Sequence, residues 1–199
     1  MYIILIAGMP ASGKTTFAKR LSEELQIPMV SKDEIKEILF DTVGFHSREE
    51  KVALGVGSMN IMYLFAESLM RTNKLIILEN NFENISKPKL QELINKYHCT
   101  PITILFDGDM KTIYNRFIER DKSPTRHRGH VVNTEYPESI NRNSIPPQIK
   151  FEDFQKTFEE RGIRHFNISD DTIKIDTTDF DKVDYGDIIN QIKNKIGIL

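Results

Sequence analysis

Gly8, Gly13, Lys14 and Thr15 stand at the spacing G-x-x-x-x-G-K-T, and residues of these types in this order can hold a chain of phosphates. The glycines allow positive φ and a close backbone approach, so successive N–H groups can turn inward around phosphate oxygens. Lys14 adds mobile positive charge for the β- and γ-phosphates, and the Thr15 hydroxyl suits Mg²⁺. Ala11, Ser12 and Thr16 complete the cradle. Such a loop works only where a strand ends and a helix begins, because the first helical N–H groups and the helix dipole favour an anion. The flanks meet that demand. Tyr2-Ile-Ile-Leu-Ile-Ala7 reads as a buried strand, and Phe17, Ala18, Leu21 and Leu25 recur at helical spacing. A plain glycine-rich strand-to-helix turn would need neither the lysine nor the threonine.

Other polar residues fall where predicted strands end. Asp33 follows the short strand Met29-Val30-Ser31, at the carboxyl edge where open α/β sheets bind ligands. A carboxylate there can orient and deprotonate a hydroxyl, or it can cap the helix that starts around Glu34-Ile35. Glu79 closes the apolar run Lys74–Leu78, a place for a metal-water ligand or for a turn residue. Asn80 and Asn81 beside it are candidate contacts to an acceptor molecule. Arg116 and Arg120 lie one helical turn apart, behind a predicted Asp109 cap, and can present two guanidinium groups to one ligand. Arg126 and Arg128 come next. Surface arginines are common, but four near a phosphate loop suit anion recognition. His127 and His130 have no third metal ligand nearby and read as lid contacts or surface.

The elements that must position these residues alternate strand with helix, which predicts a parallel sheet covered on both faces. After the first helix and the second strand, a helix carries Ile35, Ile38 and Leu39. Gly44 and His46 mark a loop, and a long helix over 48–71 follows. Its Val52, Val56, Met59, Met62, Ala66 and Leu69 form one predicted apolar face. A strand over 74–78, a helix over 87–97, a strand over 101–106 and a helix ending near Arg120 come next. Residues 121–147 are rich in Arg, His, Asn, Ser and Pro, and read as a mobile insertion over the site. A helix over 149–161, a short extension at His165–Ile168, a strand over 173–176 and a helix over 185–196 complete the chain.

The 199 residues fit one domain, and the net charge of -2 argues against a general nucleic-acid coat while leaving room for a local basic cleft. The single cysteine, Cys99, can form no internal disulfide and reads as a small buried side chain. No apolar run of spanning length is read, and Met1 leads straight into the first strand, so no membrane segment or cleavable signal is expected. The expected compartment is the cytoplasm.

The residues Gly8–Thr16, Lys32-Asp33, Leu78–Phe82, Arg116–Arg120 and Arg126–His130 together resemble those of bacterial predicted kinases of the AAA-domain P-loop group. That group is similar to the kinase half of polynucleotide kinase, to chloramphenicol phosphotransferase and to zeta toxins. The resemblance implies a P-loop kinase-like three-layer α/β/α fold with a five-stranded parallel sheet and an arginine-bearing lid at about 121–147. It implies an ATP- and Mg²⁺-dependent transfer of the γ-phosphate to a hydroxyl. Asp33 would take the base role, although Lys32 stands where polynucleotide-kinase-like enzymes carry an arginine. Lys14, Arg116 and Arg120 would serve catalysis, Thr15 and Glu79 the metal, and Thr177 the region of the adenine. The acceptor stays open between a small metabolite and a nucleotide, with a 5′-hydroxyl nucleic acid less favoured by the acidic balance. A switch or ATPase that transfers only to water is the competing class, and no Asn-Lys-x-Asp guanine motif is read in the chain.

Overall fold

The computed structural model describes residues 1–139 and 147–197, so residues 140–146 of the predicted insertion lie outside the described residues. Five parallel strands form one sheet in the order β2-β3-β1-β4-β5, with β1 Tyr2–Gly8, β2 Met29–Ser31, β3 Ile76–Glu79, β4 Thr100–Asp107 and β5 Thr172–Asp176. The first strand lies at the centre. It pairs with β3 on one side, Leu5 opposite Leu78, and with β4 on the other, Gly8 opposite Phe106. A strand so placed is buried on both faces, which is why its sequence is continuously apolar instead of alternating.

The two faces of β1 build two cores. Ile3, Leu5 and Ala7 meet α3 (Arg48–Arg71) and α4 (Lys87–Tyr97) through Met62, Ala66, Met70, Leu90 and Leu93. Ile4 and Ile6 meet α1 (Lys14–Leu25) and α8 (Tyr185–Ile196) through Phe17, Leu21, Ile189 and Ile192. Helices on both faces give the three-layer α/β/α sandwich. The remaining helices are α2 (Lys32–Thr42), α5 (Met110–Lys122), α6 (Arg128–Val131) and α7 (Phe151–Glu160). By length and composition α3 alone, among the described residues, is apolar enough to cross a membrane. Here its carboxyl half is a core helix against the sheet.

Two smaller clusters sit at the carboxyl edge and hold the parts that overhang it. Met9, Ile113, Phe154 and Phe158 join α5 to α7. Phe40, Phe45 and Val132 tie the start of the insertion to α2 and α3. A Cβ on Gly129 would stand 2.3 Å from the Phe40 ring, so only glycine lets α6 lie this close to α2. The described part of the insertion is thus anchored by aromatic packing that its composition hides. At Gly8, φ is 122° and a Cβ would fall 1.9 Å from the Phe106 carbonyl oxygen. Gly8→Ala should therefore strain the central strand pair, and a thermal melt should show a large fall in Tm or no folded protein at all.

Candidate active site

Between Gly8 and Lys14 the chain curls through positive φ angles at Gly8 (122°), Ala11 (57°) and Gly13 (85°). Ala11 is the costly member, since a side chain in the left-handed region costs roughly 1–2 kcal/mol. The Met9 carbonyl fixes the curl by accepting from Ser12 Oγ at 2.7 Å and from Lys14 Nζ at 2.6 Å. Burial lowers the Lys14 ammonium to about 8, with nearby Glu79 opposing the fall and Arg120 adding to it. A phosphate oxygen would restore the charge that burial disfavours.

A cleft of about 600 Å³ opens above this loop. Lys14, Lys32, Lys36, Arg116, Arg120, Arg126 and Arg161 face it against two carboxylates, Asp33 and Glu79. Seven cations against two anions make a site for a polyanion. Two of the guanidinium groups are short of partners: Arg120 Nε and Arg126 Nε are buried without a hydrogen bond, although Asp121 stands 3.9 and 3.6 Å from them. Burial, and then Arg126, lowers Arg120 to about 10.

Asp33 is not a helix cap. The residue before α2 is Ser31, and its hydroxyl turns away to donate to Glu79 Oε2 at 2.6 Å. Asp33 sits in the first turn with its side chain 52% exposed toward the cleft, 3.3 Å from Lys32 Nζ. Its surroundings penalise the charged form by desolvation, yet Lys32, His130, Arg126 and Lys36 together outweigh that and hold the carboxyl well below the usual range. These cations favour the ionised form of Asp33. It is suited to accept a hydrogen bond from a hydroxyl and to receive the proton late, as the bond to phosphorus forms.

Glu79 is buried, and burial pushes its carboxyl up, while Lys14, Ser31 and Thr15 favour the ionised form. Thr15 and Glu79 meet on one side of the loop, which fits a hydrated Mg²⁺ shared with phosphates. Among the described residues no three His, Cys, Asp or Glu side chains could hold a metal without such help.

The other expected residues divide. Asn81 faces the cleft, and its carbonyl accepts the Gly8 N–H at 3.0 Å. Asn80 points the other way, buried with its amide 3.6 Å from Met59 Sδ, so it is no acceptor contact. Arg128 donates to both oxygens of Glu138 at 2.6 and 2.8 Å inside the insertion and does not line the cleft. Arg116 donates to the Thr177 and Thr178 carbonyls at 2.5 and 2.9 Å and lies 3.9 Å over the Phe180 ring. Thr177 is itself buried, its hydroxyl given to the Asp107 carbonyl at 2.8 Å, so it contributes to the site through its backbone. Next to the loop, Gly13, Thr16, Phe17, Arg20, Phe180 and Tyr185 line a mainly apolar hollow of about 250 Å³. His127 lies 3.1 Å from Asp41, and His130 lies 2.9 Å from Glu37. Lys36, His130, Arg161 and Phe180 were not singled out as site residues from sequence. Of these His130 lay in the Arg126–His130 stretch and read as a lid contact or surface, and Lys36 had a signal one turn after Asp33 on the same helix face.

Fold and loop define the class: a P-loop α/β protein with a kinase-like sheet. Residues 3–135 match the AAA-domain family, and the chain belongs to it. A comparison with curated proteins finds no match. Among solved structures, a candidate kinase from Chloroflexus aurantiacus is similar at 22% identity and a TM-score of 0.74, over 98% of this chain and 96% of that one. A sugar kinase from Janibacter is similar at 11% identity and 0.56, over 100% and 95%. A gluconokinase from Sinorhizobium meliloti is similar at 12% and 0.52, over 96% and 87%. At such identities the likeness is one of fold.

Proposed function

We propose that this protein is an ATP-dependent phosphotransferase that moves the γ-phosphate of Mg-ATP to a hydroxyl of a small-molecule or nucleotide acceptor. The observation that carries the reading is that Asp33 and a preformed phosphate loop line one and the same cationic cleft. A carboxylate in that place can orient either an alcohol or water, so the competing ATPase reading is separated from this one by where the phosphate goes.

In this reading the loop N–H groups and Lys14 hold the β- and γ-phosphates, and the hollow beside Phe180 and Tyr185 takes the base. Mg²⁺ held near Thr15 and Glu79 would neutralise phosphate charge. The acceptor oxygen, hydrogen-bonded to Asp33, forms the new bond to γ-phosphorus as the bond to the β-phosphate oxygen breaks. The hydroxyl proton passes to Asp33, and ADP leaves. Arg120 and Arg126 have donors to spare for the oxygens of the group in flight.

The two arginines of α5 should therefore separate. Arg120→Ala removes a donor aimed at developing charge and should lower transfer by about 10²–10³-fold while changing nucleotide affinity much less. Arg116→Ala frees the 177–178 carbonyls and Phe180, so it should weaken nucleotide binding at least as much as turnover. Calorimetric titration with an ATP analogue beside steady-state kinetics checks both. Equal, small effects for the pair would return them to a solvated surface. The function itself is tested by a screen with γ-labelled ATP against nucleosides, sugars, aminoglycosides, amino alcohols and 5′-hydroxyl oligonucleotides.

A further inference from the structure

A second cavity of about 400 Å³ adjoins the cleft, sharing Lys36, Phe117, His130 and Phe158 with it and none of the phosphate-loop residues. Ile118, Ile149 and Phe154 give it apolar wall, Lys36 stands where it joins the cleft, and Arg48 and Lys51 line the part beyond. The balance there is unusual. Among the described residues the one carboxylate on the lining, Asp121, leans toward Arg126 and Arg120. Arg48 Nη1 and Lys51 Nζ both donate to a single neutral oxygen, Asn133 Oδ1, at 2.9 and 3.1 Å. Lys51 is 4% exposed and spends its other donors on the His130 and Val132 carbonyls, again neutral groups. A buried ammonium whose hydrogen bonds all go to neutral oxygens is expensive to keep, and burial lowers Lys51 to about 7 and Lys36 to about 8, with Asp121 and Asp33 offsetting only part of the fall. Packing alone would be better served at these positions by apolar residues.

Resting on the kinase reading above, we propose that the acceptor carries, besides the hydroxyl offered to Asp33, an anionic oxygen group of its own, a phosphate or a carboxylate, received by Lys36 and Arg48 with the charge of Lys51 behind them. The apolar walls hold the body of the molecule between its two ends. A neutral sugar or an aminoglycoside cation is the wrong partner for this cavity, and an oligonucleotide strand is too large to enclose in it.

The test fills the phosphate loop first. With Mg²⁺ and a non-hydrolysable ATP analogue at saturation, inorganic phosphate and, separately, acetate are titrated at constant ionic strength by calorimetry. A further saturable site is expected for phosphate, acetate or both, and the stronger of the two names the group. Arg48→Gln, an exposed position outside the phosphate loop, should weaken that site at least tenfold, Arg48→Lys should largely restore it, and analogue affinity should not change. In turnover, a phosphorylated or carboxylated acceptor should exceed its neutral counterpart at least tenfold in kcat/KM. The proposal is overturned if no second anion binds, if Arg48→Gln leaves anion binding unchanged, or if neutral acceptors are preferred. Those results would leave the kinase reading intact. Failure of the nucleotide analogue to bind would instead sink the kinase reading, and the anion site would then be judged on the Arg48→Gln difference in the free protein.

Discussion

Lys14→Ala should abolish most phosphate transfer while leaving the fold in place. The ammonium is the charge that the loop itself brings to the γ-phosphate, and a hydrogen bond to a charged group contributes roughly 1.5–3 kcal/mol in the ground state. Removal of a donor that tightens on the transition state costs about 10²–10³-fold in rate, so a fall of that order or larger is expected in kcat. Lys14 is buried, which would ordinarily predict damage to the core. Here its one hydrogen bond within the protein goes to the Met9 carbonyl, and Ser12 keeps that oxygen satisfied when the lysine is gone. Burial already disfavours the ammonium, and Glu79, which loses a compensating charge, keeps the Ser31 hydrogen bond and can take up a proton. The melting temperature should change little. Wild-type turnover in the variant would remove the loop from the mechanism.

Asp33→Asn should leave ATP affinity and melting temperature unchanged while lowering transfer to the acceptor by about 10²–10⁴-fold, the range expected when a general base is lost. The amide keeps the shape and can still accept a hydrogen bond, but it cannot take the proton. A stability effect is not expected from capping, because Ser31 precedes α2 and Asp33 makes no cap bond. Its first-turn charge lies near the helix dipole, and at a half-exposed site that is worth no more than about 0.3–1 kcal/mol. The residue's cationic neighbours keep it ionised, so the acid side of the rate profile should not come from Asp33. As pH falls, the carboxyl with the raised value, Glu79, protonates first. Comparing the kinetic pH profile with that of Glu79→Gln would show which carboxyl sets that limb.

The loop and its flanks were legible because their signals are local. A continuous apolar run, two glycines and a helical stripe are all read within 25 residues, and β1 and α1 follow them closely. What depends on neighbours far along the chain was not legible. Val52 and Val56 sit on the stripe expected to be buried, yet they are 51% and 56% exposed, because the amino half of α3 extends beyond the sheet and packs against α2. The residues buried there are polar, Ser58 and Lys51, the latter held by carbonyls about 80 positions away. Asn80 and Asn81 are equivalent in sequence, and only the end of β3 decides that one meets Met59 and the other the cleft. At His165–Ile168 an extension was expected. The chain instead makes a single 3₁₀ turn, Ile163–His165, after Gly162 at φ 72°, and drives Phe166 into the core against Phe82, with ring centres 5.3 Å apart. Strand order, too, is set by pairings that no window of the sequence contains.

The central claim is that the γ-phosphate goes to an alcohol oriented by Asp33 and not to water. The most direct test follows γ-labelled ATP in the presence of an acceptor found by screening, and measures how the label divides between acceptor and inorganic phosphate in wild type and Asp33→Asn. The wild type should place most label on the acceptor. In the variant that product should fall by two orders of magnitude or more, while the slow release of inorganic phosphate stays near its wild-type level. Label recovered solely as inorganic phosphate with every class of hydroxyl compound, or an unchanged division in the variant, would contradict the account.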